Sequence, residues 1–161
     1  MNSAYFAGGC FWCITPAFRS LTGVSAVTSG YCGGSAEDAV YEAVKSQRTA
    51  HRETIRIDYD PDQIGYAALL RVFLANVDPF DPFGQYIDRG NSYTLAIYFA
   101  DDEERRQAAD ALRELEVRAG KAPAVAVEPL NAFYPAEEYH QDYDLKNPEA
   151  FARELKESGR I

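Results

Sequence analysis

The order of apolar and polar residues divides the chain into short alternating stretches and longer helical ones. From 54 to 59 the alternation is strict. Ile55, Ile57 and Tyr59 fall on one side and Arg56 and Asp58 on the other, which predicts a half-buried strand. Residues 4–7 and 93–99 read as further strands. The Val-, Ser- and Thr-rich run 23–31 is another, and it ends at a Tyr31-Cys32-Gly33-Gly34 turn. Helical spacing marks 12–21, 38–45 and 63–75. The last of these places Leu69, Leu70, Phe73 and Leu74 on its apolar side, with Asp60-Pro61-Asp62 as its expected cap. Asp101-x-x-Glu104 resembles a capping box and opens a helix to about 119. A short strand at 124–127 and a last helix at 148–156 complete the periodic segments. Residues 76–92 carry no period, and a loop that long in a compact chain is usually functional. Residues 129–147 are irregular and aromatic. Strands and helices mix at both hairpin and crossover spacings, which predicts an α+β fold with a central mixed sheet and flanking helices. With no internal repeat and no low-complexity linker, the 161 residues read as one domain over 1–161.

Composition narrows the function classes. Apolar residues make up 47% and charged residues 25%, so the chain can build a core rather than stay disordered. No apolar run reaches the ~18 residues of a membrane helix. The start, Met1-Asn2-Ser3-Ala4, has neither a basic region nor a long apolar one, so no signal peptide is expected and the cytoplasm is the expected compartment. The net charge of −9 would repel nucleic-acid phosphates and anionic membranes. A monomer is expected.

Three cysteines suit neither a disulfide scaffold nor a paired framework. Cys10 and Cys13 form a C-x-x-C, and Cys32 stands alone. Gly8-Gly9 would turn a strand into a helix and leave Cys10 near the helix N-terminus, where the thiolate is favoured. Phe11 and Trp12, the only tryptophan, would form an aromatic wall beside it. A reactive thiolate needs an acid or base close by. His51-Arg52-Glu53 leads into the 54–59 strand. A carboxyl buried where that strand enters the sheet would have a raised pKa and could act as general acid. A second polar and aromatic cluster runs from Phe133 to Gln141 and includes His140. Cys10, Cys13, His51 and His140 could also complete a zinc site, but the histidines lack paired spacing. The expected metal content is therefore none.

At these residues the chain resembles the peptide methionine sulfoxide reductase A family. Gly9-Cys10-Phe11-Trp12 is similar to its signature, Gly30-Tyr31-Cys32-Gly33-Gly34 to its Gly-Tyr-x-Gly-Gly, and His51-x-Glu53 to its Gly-His-x-Glu. Asp78-Pro79, Gln85, Asp88, Gly90 and Tyr93 follow its order through the long loop, and 133–141 is similar to its C-terminal motif. The resemblance implies an α+β plait that reduces the S epimer of methionine sulfoxide, free or in proteins. It implies Cys10 as nucleophile and Phe11 and Trp12 as the methyl pocket. Tyr31, Glu53 and Tyr93 would surround the sulfoxide oxygen, with Asp88 in the pocket. No bound cofactor is implied, and thioredoxin or another dithiol would be the external reductant.

The chain departs from the family at several positions. Thr15-Pro16 stands where a Glu is common, Gln85-Tyr86-Ile87-Asp88 where Gln-Gly-x-Asp is, Ser92-Tyr93-Thr94 where Gln-Tyr-Arg is, and Arg52 where Ala is. Arg52 would lower the pKa of Glu53. The family's Gly-rich C-terminal segment with a resolving Cys has no counterpart before Ile161. The resolving thiol is then Cys13, favoured by C-x-x-C spacing, or Cys32, or an external one. The other readings are a redox-sensing or sulfoxide-binding module with weak turnover, and a general C-x-x-C thiol-disulfide oxidoreductase.

Overall fold

The computed structural model describes residues 1–159. In chain order the elements are β1 (Asn2–Gly8), α1 (Phe11–Arg19), β2 (Val24–Cys32), α2 (Tyr41–Lys45), β3 (Arg52–Tyr59), α3 (Tyr66–Ala75), β4 (Gly84–Gln85), β5 (Asp88–Arg89) and β6 (Leu95–Phe99). After these come α4 (Asp102–Ala119), β7 (Val125–Pro129), β8 (Phe133–Pro135), α5 (Tyr143–Lys146) and α6 (Pro148–Glu157). Six strands form one sheet in the order β7-β6-β1-β3-β2-β8. Only the β6–β7 pair is parallel, so the sheet is mixed, as its sequence spacing predicts. The segment β1-α1-β2-β3-α3-β6 makes its inner part, with strand order β6-β1-β3-β2, which is the split βαβ plait.

The two faces of the sheet differ. Phe6, Tyr31, Ile55, Ile57, Leu95 and Ile97 point to the helical side and join Ile14 and Phe18 of α1 and Leu69, Leu70 and Phe73 of α3 in the main core. Ala7, Cys32, Ala96 and Tyr98 form a smaller cluster on the other face. Successive strand residues alternate faces, so Tyr31 and Cys32 necessarily part company.

Three local expectations need correction. The 63–75 helix begins at Tyr66, after Gly65. Asp60 instead closes a turn: its carboxylate accepts from the Asp62 N–H at 2.9 Å and from Gln63 Nε2 at 3.0 Å. The irregular 129–147 segment contains β8, an edge strand of three residues, too short for alternation to show. Within 76–92, β4 and β5 make a small hairpin.

β8 approaches β2 where Gly30 faces Pro135. A Cβ on Gly30 would run into the Phe133 ring and the Tyr134 carbonyl. Gly30→Ala is therefore expected to destabilise the fold by about 1–3 kcal/mol, the usual range for overpacking. A urea titration followed by circular dichroism checks this through a lower midpoint at unchanged slope.

Candidate active site

Gly9, at φ +84°, turns β1 into α1. Cys10 thus becomes the helix N-cap, and Phe11 is the first helical residue. Pro16 lies inside this helix, so the bond that residue 16 would donate to the Trp12 carbonyl cannot form. The Thr15 hydroxyl donates to the Phe11 carbonyl at 2.7 Å. The helix keeps Cys10 and Cys13 one turn apart, and the Cys13 N–H donates to the Cys10 carbonyl at 3.1 Å.

A cavity of about 220 Å³ opens over this helix start. Cys10, Phe11, Trp12 and Cys13 form its base, and Glu53 reaches into it from β3. Tyr41 and Lys45 of α2 stand on one side, and Ile87, Asp88 and Tyr93 on another. Glu154, Glu157 and Ser158 close it from α6. A larger groove of about 850 Å³ lies between α3 and α4, lined by Leu74, Ala111 and Val117 among charged neighbours. It contains no cysteine, so the chemistry sits in the smaller cavity.

Glu53 is the most constrained group in the cavity. It is 2% exposed, and its Oε1 accepts the Phe11 N–H at 3.1 Å, at the start of α1. Burial pushes its carboxyl up to about 8, against the lowering effect of that hydrogen bond. At neutral pH it holds a proton. Arg52 plays no part in this, contrary to the sequence expectation. It is the next residue on the strand and faces the other side of the sheet, where it bonds Glu128, Tyr98 and Thr94. Lys45 is the cation that acts on Glu53, in the lowering direction.

Cys10 also differs from expectation. Its thiol is pushed well above the ordinary range, first by its hydrogen bond with Cys13 and then by burial. These outweigh the helix N-terminus, so the resting group is a thiol. Cys32 lies on the opposite face of the sheet, and burial pushes it up to about 12. It lines a separate small cavity with Gly33, Gly34 and Glu128.

The tyrosines are exchanged relative to the sequence reading. Tyr31 is fully buried, and its hydroxyl donates to Glu137 Oε1 at 2.8 Å rather than lining the cavity. Glu137 Oε2 accepts the Tyr41 N–H at 3.0 Å, and Tyr41 lines the cavity in its place. Burial raises the phenols of Tyr41 and Tyr93. They are protonated donors beside the thiol. No local signal in the sequence separates Tyr41 from the other tyrosines. Its place is set by a carboxylate 96 positions away.

Neither histidine reaches the reacting atoms. His51 is fully buried; its Nδ1 accepts the Gly34 N–H at 3.2 Å and its Nε2 lies 2.7 Å from the Ser35 carbonyl. It pins the turn after β2. His140 Nδ1 accepts from Trp12 Nε1 at 3.1 Å, and Tyr143 stacks on the Trp12 ring at 3.9 Å. Together they fix the plane of the cavity wall. The four-residue zinc arrangement does not assemble, and among the described residues no group of three or more His, Cys, Asp or Glu is placed to hold a metal ion.

The model of the peptide methionine sulfoxide reductase family matches residues 2–160. This chain belongs to that family. Among reductases of that name, it is 43% identical to MsrA of Bacillus licheniformis over 159 residues, covering 98% of this chain and 88% of the relative. It is 42% identical to MsrA of Halalkalibacterium halodurans, covering 99% and 92%. Among solved structures, reduced Mxr1 of Saccharomyces cerevisiae superposes with a TM-score of 0.87 at 28% identity, covering 92% of this chain and 86% of that one. Methionine sulfoxide reductase A of Corynebacterium diphtheriae gives 0.83 at 27% identity, covering 91% and 75%. A further Mxr1 structure, in complex with Trx2, gives 0.58 at 20% identity, covering 88% and 84%, a likeness of fold. As a family member the protein is an oxidoreductase that reduces methionine sulfoxide.

Proposed function

We propose that Cys10 reduces the S epimer of methionine sulfoxide, free or in proteins, with Glu53 as its proton donor. The observation that carries this reading is a buried, protonated carboxyl held at the start of α1 beside the thiol. A sulfoxide is a poor electrophile until its oxygen is protonated. Glu53 gives its proton to that oxygen as the Cys10 sulfur attacks, and it takes up the thiol proton of Cys10 in return. The methionine S–O bond breaks and a Cys10 S–O bond forms. Methionine leaves reduced, and Cys10 becomes a sulfenic acid. Tyr41 and Tyr93 supply hydrogen bonds to the oxygen as its charge changes. Phe11 and Trp12 take the S-methyl group, since sulfur–aromatic contacts are favourable. Asp88 completes the pocket.

Cys13 is the proposed resolving thiol. It condenses with the sulfenic acid, releasing water and leaving a Cys10–Cys13 disulfide. Thioredoxin or another dithiol then reduces that disulfide by exchange. Its thiol already hydrogen-bonds Cys10, whereas Cys32 would have to cross the sheet. We further propose that the chain acts as one domain, as a monomer, in the cytoplasm. Among the described residues, no helix is long and apolar enough to cross a membrane.

The test uses N-acetyl-methionine sulfoxide, one epimer at a time. The expected result is one methionine per enzyme from the S epimer without reductant, and continuous NADPH consumption with thioredoxin and its reductase. In Cys13→Ser, the single equivalent should remain while steady-state turnover falls at least about tenfold, since only recycling needs the second thiol. Mass spectrometry of the oxidised parent should find a bond between 10 and 13. A bond to Cys32, or normal recycling in Cys13→Ser, overturns the assignment.

A further inference from the structure

The β4–β5 turn stands on the rim of the Cys10 cavity. Ile87 lines the cavity yet is 63% exposed, Tyr86 beside it is 40% exposed, and Phe83 at the base of the hairpin is 69% exposed. Single exposed apolar side chains are ordinary, but three within five positions, one of them lining the cavity of a reactive thiol, mark a contact surface.

The turn is also held firmly. The Gln85 side chain is fully buried; its Oε1 accepts the Asp78 N–H at 2.8 Å, and its Nε2 donates to the Asp78 and Gly84 carbonyls. Arg89 Nη1 donates to the Tyr86 carbonyl at 3.2 Å. Tyr86 itself adopts φ +56°, a left-handed backbone that glycine occupies more easily than any side chain. A large aromatic residue thus stands next in the chain to cavity-lining Ile87, at a backbone position that suits glycine better. Strained positions of this kind cluster at functional sites.

We propose that Tyr86 and Ile87 form a subsite for an apolar residue flanking methionine sulfoxide in a polypeptide substrate. The inference rests on the reading of the Cys10 cavity as the sulfoxide site. That cavity has room for one side chain, so the substrate backbone must stay outside it. A side chain that enters past Ile87 leaves its chain neighbours lying over the turn. Glu154 and Glu157 line the α6 side of the rim, whereas the turn offers the exposed Ile87 ahead of Asp88, so the turn is the flank with apolar groups to offer. Such neighbours are the common case for a polypeptide substrate. Methionine sits among apolar residues in protein cores, and its oxidation disrupts them.

Single-turnover release of reduced peptide, without thioredoxin, isolates the first step. The probes are acetyl-Leu-MetO-Leu-amide and acetyl-Ser-MetO-Ser-amide, both with S sulfoxide. The parent should favour the Leu peptide by about tenfold in the second-order rate constant of the single turnover, a preference that partial burial of one large side chain supports. The difference should lie mainly in the peptide concentration that half-saturates the single-turnover rate, because the subsite binds ground and transition states alike. In Tyr86→Gly and in Ile87→Ser the ratio should fall toward one. Val117→Ser, on exposed α4 and away from the cavity, should keep it. A parent that reduces both peptides equally sinks the subsite while leaving the reductase reading intact. A parent that reduces neither sinks that reading first. Variants that keep the ratio but need more thioredoxin at steady state also overturn the proposal and assign the turn to the reductant.

Discussion

Cys10→Ser protein should release no methionine from any sulfoxide, with a loss of at least about 10³-fold in the single-turnover rate. The hydroxyl nearly matches the thiol in size at a position that is 9% exposed, so the fold should survive. What is lost is chemical. A serine oxygen is a weak nucleophile at neutral pH, and transfer of the sulfoxide oxygen to it would give an unstable hydroperoxide rather than a sulfenic acid. Far-ultraviolet circular dichroism should overlay that of the parent, and mass spectrometry should find residue 10 unmodified after exposure to substrate. Cys13→Ser loses only the second half of the cycle, so the two variants separate reduction from recycling. Retained methionine release in Cys10→Ser would remove the nucleophile from its assigned place.

Glu53→Gln should cost about 10²–10⁴-fold in kcat, the usual range for a lost general acid. Glutamine can still accept the Phe11 N–H through its amide oxygen, so the start of α1 keeps its geometry. It has no acidic proton to give. The pH profile is the sharper readout. With its carboxyl at about 8, Glu53 is protonated below that value, so parent activity should fall as pH rises through about 8. Glu53→Gln should lack that limb. Stability should move the same way with pH. The folded carboxyl binds its proton more tightly than the unfolded one, whose pKa is near 4.5. Its stabilising contribution is complete below about 4.5 and is lost as pH rises through about 8. Parent and Glu53→Gln should therefore be close in stability in acid, and the variant should become the more stable one in mild alkali. An activity change within a few-fold would move the proton to Tyr41, Tyr93 or water.

Much of the scaffold was legible because it rests on local rules. The alternation of Ile55, Ile57 and Tyr59 gave the inward face of β3, since all three enter the main core. The capping signal at 101–104 also appears in the bonds. Asp101 Oδ1 accepts the Glu104 N–H at 2.8 Å, and Glu104 Oε1 accepts the Ala100 N–H at 2.9 Å. Cys10, Glu53, Asp88 and Tyr93 do meet in one cavity. The exchange of Tyr31 for Tyr41 was not legible, because Glu137 arranges both residues from a distant part of the chain. The contribution of α6 was hidden for a similar reason. Glu154 and Glu157 are spaced to share a helix face, but nothing local says what that face covers. The place of Cys32 was within reach. Once Tyr31 is turned toward the helices, strand alternation puts its neighbour on the far side.

The hold on Trp12, by a hydrogen bond to His140 and a stack on Tyr143, has a practical consequence. Because the chain has one tryptophan, all of its indole emission comes from the wall beside the reactive sulfur. The protein carries its own optical probe. Substrate arrival, oxidation of the thiol and closure of the disulfide should each change the polarity and quenching around one fluorophore. A stopped-flow trace excited at the indole band would then time the whole cycle on unlabelled enzyme, with each chemical stage read as a separate amplitude.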